Sequence, residues 1–308
     1  MIKKIQSDSN NFLFKELYYN RARDAMFDII DNLSKKGYTE IYIPGYIGWS
    51  PNEGSGIFDP INKIVDLNRH YYVMDRELNT DINYLKINLK NSSILLVVNY
   101  FGFRDPKFDK IVELAHERNC IVIEDNAHGF YTYHLSKKCG SDFTFFSLHK
   151  MLPFSKGGSM IVCNQKFCSL PYSGKEFNEL NPYSYDIYSI AYARKENFRK
   201  LYNILNNYND LIKPLKNIED IRYNVPQTFP IVLLKGNRDK IYELMNKRGY
   251  GVVSLYHTMI NELQNEKHSE AVWLSQHIMN LPVHQDVDSQ EYIDMVKILI
   301  HYIKETFA

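Results

Sequence analysis

An apolar run, I-L-L-V-V at 94–98, is followed by helical spacing over 106–118 and a second apolar strand over 120–124. Strand, helix, strand at this spacing is a βαβ unit, so the sheet that holds it is largely parallel. The next apolar segments, 143–148 and 157–163, follow closely, and their short link allows them to pair antiparallel. The expected fold is therefore α/β, with a mostly parallel central sheet flanked by helices. Open sheets of this kind place ligands beyond the C-terminal ends of their strands.

Those ends carry the chemistry. I-V-I-E-D closes on Asp125, and T-F-F-S-L-H-K delivers Ser147, His149 and Lys150. Gly157 and Gly158 then open the following strand and would let backbone approach a flat ligand. A lysine just past one strand, with an aspartate ending its neighbour, suggests a pyridoxal phosphate (PLP) site. There the lysine would form the Schiff base and the aspartate would keep the pyridine nitrogen protonated.

Each candidate has a plainer reading beside this one. Lys150 could be a solvated strand-end lysine; its place after four apolar residues argues instead for a buried stem, and a buried lysine can lose its proton and attack a carbonyl. Asp125 could be a helix N-cap. His128 could hydrogen-bond a cofactor oxygen or be a loop histidine. Phosphate binding needs amides at a helix N-terminus, which Ala22, Arg23 and Asp24 offer; Arg23 is equally an ordinary surface arginine. Trp49 could stack on a ring or belong to the core.

The rest of the chain supports a soluble enzyme-sized protein. Its 308 residues suffice for a large core in two domains. Lys plus Arg is 37 against 36 Asp plus Glu, so no net field favours nucleic acid or an anionic membrane. Twenty-four tyrosines are available for pockets or subunit contacts, although an AT-biased genome is the blander explanation. Cys120, Cys139, Cys163 and Cys168 form no C-x-x-C pair, Cys120 and Cys163 read as core thiols, and a reducing compartment fits. M-I-K-K-I-Q-S-D-S-N-N has no apolar leader core, and no run reaches membrane-spanning length, so a cytoplasmic location is expected. Dinucleotide, P-loop, serine-hydrolase and zincin signatures are missing, and no metal site is expected.

Along the chain, residues 1–20 read as an irregular aromatic lead. A helix follows, with Ala22, Ala25, Met26, Ile29, Ile30 and Leu33 on one face and Gly37 as its stop. A strand at 40–44 leads into a glycine-rich loop, 45–56, and 126–143 reads as loop. A polar crossing at 169–183 precedes a long helix over roughly 185–208. Beyond it come strand 229–234, helix 237–248, strand 251–255 and helices 268–278 and 289–305. The division expected is a large domain, 1–212, and a smaller C-terminal α+β domain, 213–308.

The motifs resemble those of one family. I-E-D-N-A-H (123–128) looks like its E-D-A-A-[QH], and F-S-L-H-K-M-L-P-F-S-K-G-G (146–158) its F-S-x-x-K-x-L-P-x-x-x-G-G. I-Y-I-P-G-Y (41–46), V-N-Y-F-G (98–102), Y-H (256–257) and L-P-V-H-Q-D (281–286) extend the likeness over nearly the whole chain. The chain is thereby similar to the DegT/DnrJ/StrS-type PLP-dependent sugar aminotransferases, of PLP fold type I. The resemblance implies Lys150 as the Schiff-base lysine and Asp125 as the partner of the pyridine nitrogen. It implies His128 beside the ring, with Ser147 and the Ala22–Asp24 turn at the phosphate. Homodimers with sites at the interface are implied as well. The chain departs from the pattern in being short and in carrying Ala22–Arg23 where Gly-Thr is usual. It also lacks an evident N-Y-R-M-type segment near 170–190, for which Asn178 or Asn181 might substitute. Some relatives replace the lysine by histidine and dehydrate a sugar; here His149 precedes Lys150, and the seven-residue step from Lys150 to Gly157 favours the lysine.

The resulting expectation is an aminotransferase that moves an amino group, glutamate being the expected donor, to a nucleotide-linked keto sugar for surface polysaccharide or related biosynthesis. Its alternatives are another PLP reaction on a small substrate, decarboxylation or sugar dehydration, and a catalytically silent binding protein of the same fold.

Overall fold

The computed structural model describes residues 15–136, 140–176 and 181–307. Its larger sheet has seven strands: β1 (Lys15–Tyr19), β2 (Glu40–Pro44), β3 (Asn68–Tyr72), β4 (Ile94–Val98), β5 (Ile121–Asp125), β6 (Phe143–Ser147) and β7 (Gly158–Val162). Their order is β1-β7-β6-β5-β4-β2-β3. Strands β2 to β6 are parallel, and β7 runs antiparallel to both β6 and β1. Every residue of β4, β5, β6 and β7 is buried, as strands covered on both faces must be. A smaller antiparallel sheet, β10-β9-β8, follows from β8 (Ile212–Pro214), β9 (Thr228–Leu233) and β10 (Ile278–Pro282). No described helix is long and apolar enough to cross a membrane.

The first helix, Ala22–Lys35, buries Ala25, Met26, Ile29, Ile30 and Leu33 completely, the face its spacing predicts. It packs on β6 and β7. Gly158 is the reason it can start so close to the sheet. A side chain there would meet Ala22 N at 2.4 Å and Arg21 C at 2.5 Å. Gly158 therefore makes room for the helix N-terminus rather than for a flat ligand, while Gly157 takes a positive φ of 139°.

Several expected elements are replaced. The supposed irregular lead contains β1, an edge strand in which only Leu17 is buried. The loop expected over 126–143 contains a helix, Phe130–Ser136, whose aromatic-rich sequence gives little intrinsic helical signal. Residues 251–255 form no strand, since Gly249 and Gly251 both take positive φ and only Val253 bridges to Asn280. Lys150 sits in a four-residue helical turn, Leu148–Met151, and is open to the adjacent cleft, so its stem is not buried. Cys120 is buried, as expected. Cys163, expected as a core thiol, is half-buried just past β7 and disulfide-bonded, so it lends no support to a reducing compartment. Cys139 lies outside the described residues.

Candidate active site

The ends of β4, β5 and β6 open into a cleft of about 1010 Å³. Ala22, Arg23, Asp24, Trp49, Asp125, His128, Ser147 and Lys150 all line it, so the structure brings together every site residue expected from the sequence. Parallel pairing sets their relative heights: Val98 lies beside Asp125, and Asp125 beside Phe145, two residues before Ser147.

Asp125 and Glu124 alternate across β5 and meet different partners. Glu124 is held by Arg104 at 3.0 Å and by Asn99 Nδ2 at 2.8 Å. Asp125 faces the cleft and is 4% exposed. Its Oδ1 accepts the Ala127 N–H at 2.8 Å, and no described residue donates to its Oδ2. Burial pushes its pKa up to about 6, against the pull of the Ala127 N–H and of Lys150. A cationic ring nitrogen at the free oxygen would supply the missing partner.

Lys150 Nζ lies 3.1 Å from His128 Nε2. The lysine is open to the cleft, with its head group beside His128 at the floor. Desolvation there holds its pKa below the ordinary lysine range, opposed by Asp125 and Glu53 and reinforced by Arg23. His128 is 3% exposed. Burial first, and Lys150 second, hold it far below the usual histidine range, so it is neutral. Phe101 N–H donates to His128 Nδ1 at 3.3 Å, and the two rings stack with 6.2 Å between centroids. A neutral imidazole that accepts at Nδ1 carries its proton on Nε2. That nitrogen faces Lys150 Nζ.

The phosphate side is less fully formed from side chains. No side chain caps the first helix, and Asp24 N–H and Ala25 N–H turn back to Arg21 O. Ser147 Oγ lies 3.3 Å from His149 Nδ1. Arg23 reaches across to Glu53 O at 3.0 Å and to Asp59 at 3.9 Å, so its charge is already engaged by the 53–59 loop. Asp24 is exposed and can offer an anion only its backbone. Trp49 is 41% exposed at the cleft wall, and its N–H donates to Thr258 O at 3.0 Å; it is not core. Asn181 caps the turn Pro182–Ser184 through Tyr183 N–H and does not reach the cleft, and Asn178 lies outside the described residues.

The 254–258 segment forms a wall that residue-by-residue reading did not place in the site. Tyr256 packs so closely on Gly48 that a side chain there would meet its ring at 2.0 Å. Tyr46 Oη accepts Tyr256 N–H at 2.6 Å and donates to Leu255 O at 3.0 Å. The signal available in the sequence was Gly48 itself, between Ile47 and Trp49 and two residues after Tyr46.

Residues 64–168 match the model of the DegT/DnrJ/EryC1/StrS aminotransferase family. This stretch contains Asp125, His128, Ser147 and Lys150. No curated protein matches the chain in sequence. Among solved structures, the fold is similar to Helicobacter pylori PseC, an aminotransferase involved in the biosynthesis of pseudoaminic acid. That match has 15% identity, a TM-score of 0.75 and coverage of 94% of this chain and 87% of the other. An E. coli GDP-4-keto-6-deoxy-D-mannose-3-dehydratase with bound hydrated PLP matches at 17% identity and TM-score 0.71, covering 92% and 87%. A putative sugar aminotransferase from Streptococcus pneumoniae, in its PLP form, matches at 13% identity and TM-score 0.74, covering 95% and 88%. The expected α/β fold, with a mostly parallel central sheet flanked by helices, is thus shown; the sheet has seven strands, and the fold matches that of these PLP-enzyme neighbours.

Proposed function

We propose that the protein is a PLP-dependent aminotransferase acting on a keto sugar, nucleotide-linked, with glutamate as donor, in surface polysaccharide or related biosynthesis. The observation that carries this reading is the geometry of the cleft floor. An amine, a buried carboxylate with a free oxygen and a neutral imidazole converge there from the ends of β5 and β6.

These residues fit the cofactor. When bound, PLP supplies a carbonyl that condenses with amines and a ring that accepts an electron pair. Asp125 would hold the proton on the ring nitrogen. His128 Nε2–H would donate to an oxygen on the ring. Ser147 and the amides of Ala22 and Arg23 would bind the phosphate, helped by the helix dipole, while the Asp24 N–H is already turned to Arg21 O. Trp49 would cover the ring from the cleft wall. Lys150 Nζ, whose proton affinity burial lowers, would take the proton from the donor Cα.

Dehydration, the activity in the E. coli neighbour's name, is the second reading. Lys150 at the floor favours amination, since His149 turns instead to Ser147. The same reading takes 1–212 as the PLP-binding domain and 213–308 as a smaller domain, in a cytoplasmic homodimer. Tyr188 and Tyr192, 69% and 67% exposed, are available for the subunit contact. Purified protein with PLP, glutamate and a panel of nucleotide keto sugars should yield one aminated sugar and an equal amount of 2-oxoglutarate. A sugar that loses a hydroxyl without gaining nitrogen would replace amination by dehydration.

A further inference from the structure

The turn that carries Lys150 is four residues long, and its last carbonyls have no partner inside so short a turn. Leu148 N–H donates to Gly157 O at 3.0 Å, and Leu152 N–H to Leu148 O at 2.8 Å. The carbonyl next to Lys150 is held from outside: Tyr131 Oη donates to Met151 O at 2.6 Å in a buried hydrogen bond. Tyr131 is fully buried on the helix Phe130–Ser136 and does not line the cleft. Its only polar atom beyond the backbone is thus committed to the lysine turn.

Arg194 lies over the Tyr131 ring, 5.3 Å from guanidinium carbon to centroid. It stands on the helix Ile187–Leu205 and is 1% exposed. Arg194 Nε donates to Gln285 Oε1 at 3.0 Å, and Nη1 to the carbonyls of Gln227 at 3.2 Å and Pro226 at 3.4 Å. Its Nη2 is buried without a hydrogen-bond partner among the described residues. A buried guanidinium with one unpaired nitrogen costs stability. Here it joins the segment before β9, and Gln285 beyond β10, to the ring that caps the lysine turn.

We propose that Tyr131 is a positioning residue for Lys150, and that Arg194 ties it to the segments at the smaller sheet. The proposal rests on Lys150 being the cofactor's lysine. The hydroxyl fixes the Met151 carbonyl, and with it the height of the preceding residue above His128. Without that hydrogen bond the turn keeps only its Leu148–Gly157 and Leu152–Leu148 bonds, and Lys150 Nζ shifts from His128 toward the open cleft. Its proton affinity then rises toward that of an ordinary lysine, since desolvation is what lowers it.

The test uses cofactor-free protein, so it does not depend on turnover. Competitive acetylation across a pH series, read by peptide mass spectrometry, gives the titration of Lys150 directly. Tyr131→Phe keeps the ring and removes the hydroxyl. It should raise the Lys150 midpoint by about one pH unit, a tenfold slower labelling below the midpoint. Labelling of Lys213, outside the cleft, should not change. Arg194→Lys should move Lys150 the same way by less, and it decides the matter alone if Tyr131→Phe does not fold. An unchanged Lys150 titration in the folded variants overturns the proposal. Borohydride reduction of the wild type with PLP separates the two ideas: an adduct away from Lys150 removes the cofactor reading, whatever Tyr131 does.

Discussion

Two clefts of nearly equal size, about 1010 and 1000 Å³, flank the β4–β5 region, yet only one looks built for chemistry. In the second, lined by Arg104, Lys213, Lys216 and Glu77 among others, charges are engaged. Lys213 pairs with Glu77 at 3.5 Å, Lys216 donates to Glu77 O at 2.9 Å, and Arg104 is bound to Glu124. Asp105 accepts Thr80 N–H and Lys107 N–H, each at 2.8 Å. Burial lowers Lys216 in the second cleft as it lowers Lys150 in the first; what sets the first apart is an under-paired buried carboxylate, Asp125, near a neutral imidazole that lies 3.1 Å from the lysine. Volume does not separate a site from a surface groove; unbalanced polar groups held in place do.

The largest effect should come from Lys150→Ala, which under the proposed function removes both the cofactor's attachment and the proton carrier. Turnover with any accepted sugar should fall by about 10⁴-fold or more, measured by 2-oxoglutarate release. A fall of less than about tenfold would make the first cleft no more chemical than the second.

Asp125→Asn sharpens the contrast, because function and stability should move in opposite directions. Turnover should fall by about 10²-fold or more, since the ring nitrogen loses its charged partner. In the cofactor-free protein the folded pKa of Asp125, about 6, lies above its unfolded value of 3.8. The stability tied to its neutral form is therefore complete below 3.8 and lost as the pH rises through about 6. Denaturation at about pH 8 should find the Asn variant more stable than wild type by about 3 kcal/mol, and at about pH 4 the two should converge. Equal stability at both pH values would show that the carboxylate is not strained by burial.

Smaller effects are expected at the phosphate side. Ser147→Ala and Arg23→Ala should each weaken PLP binding by about five- to tenfold, read by absorbance titration, with chemistry preserved at saturating cofactor. Unchanged affinity in both would place the phosphate elsewhere. The smallest effect belongs to the second cleft: Glu77→Gln should leave turnover within about twofold and stability within about 0.5 kcal/mol, as for exposed ion pairs.

What the sequence made legible was the continuous apolar part. Strands β4 to β7 are buried on both faces, so their runs stand out, and β5 and β6 end in the polar groups that line the cleft. Asp125 and Lys150 were readable because the strand end itself sets their position. β1 was hidden because an edge strand with one buried residue shows no pattern. The helix Phe130–Ser136 was hidden by weak helix formers. V-V-S-L at 252–255 looked like a strand, and the flanking glycines overrode it. The Tyr131–Met151 hydrogen bond spans 20 residues and depends on where two helical turns meet, which no spacing rule encodes.

The most direct measurement is borohydride reduction of the PLP-loaded protein followed by peptide mapping. The pyridoxyl group should appear on Lys150, in the peptide that also holds Ser147 and His149. Recovery on Lys156, on another lysine, or on none with PLP bound would contradict the assignment of the first cleft as the active site.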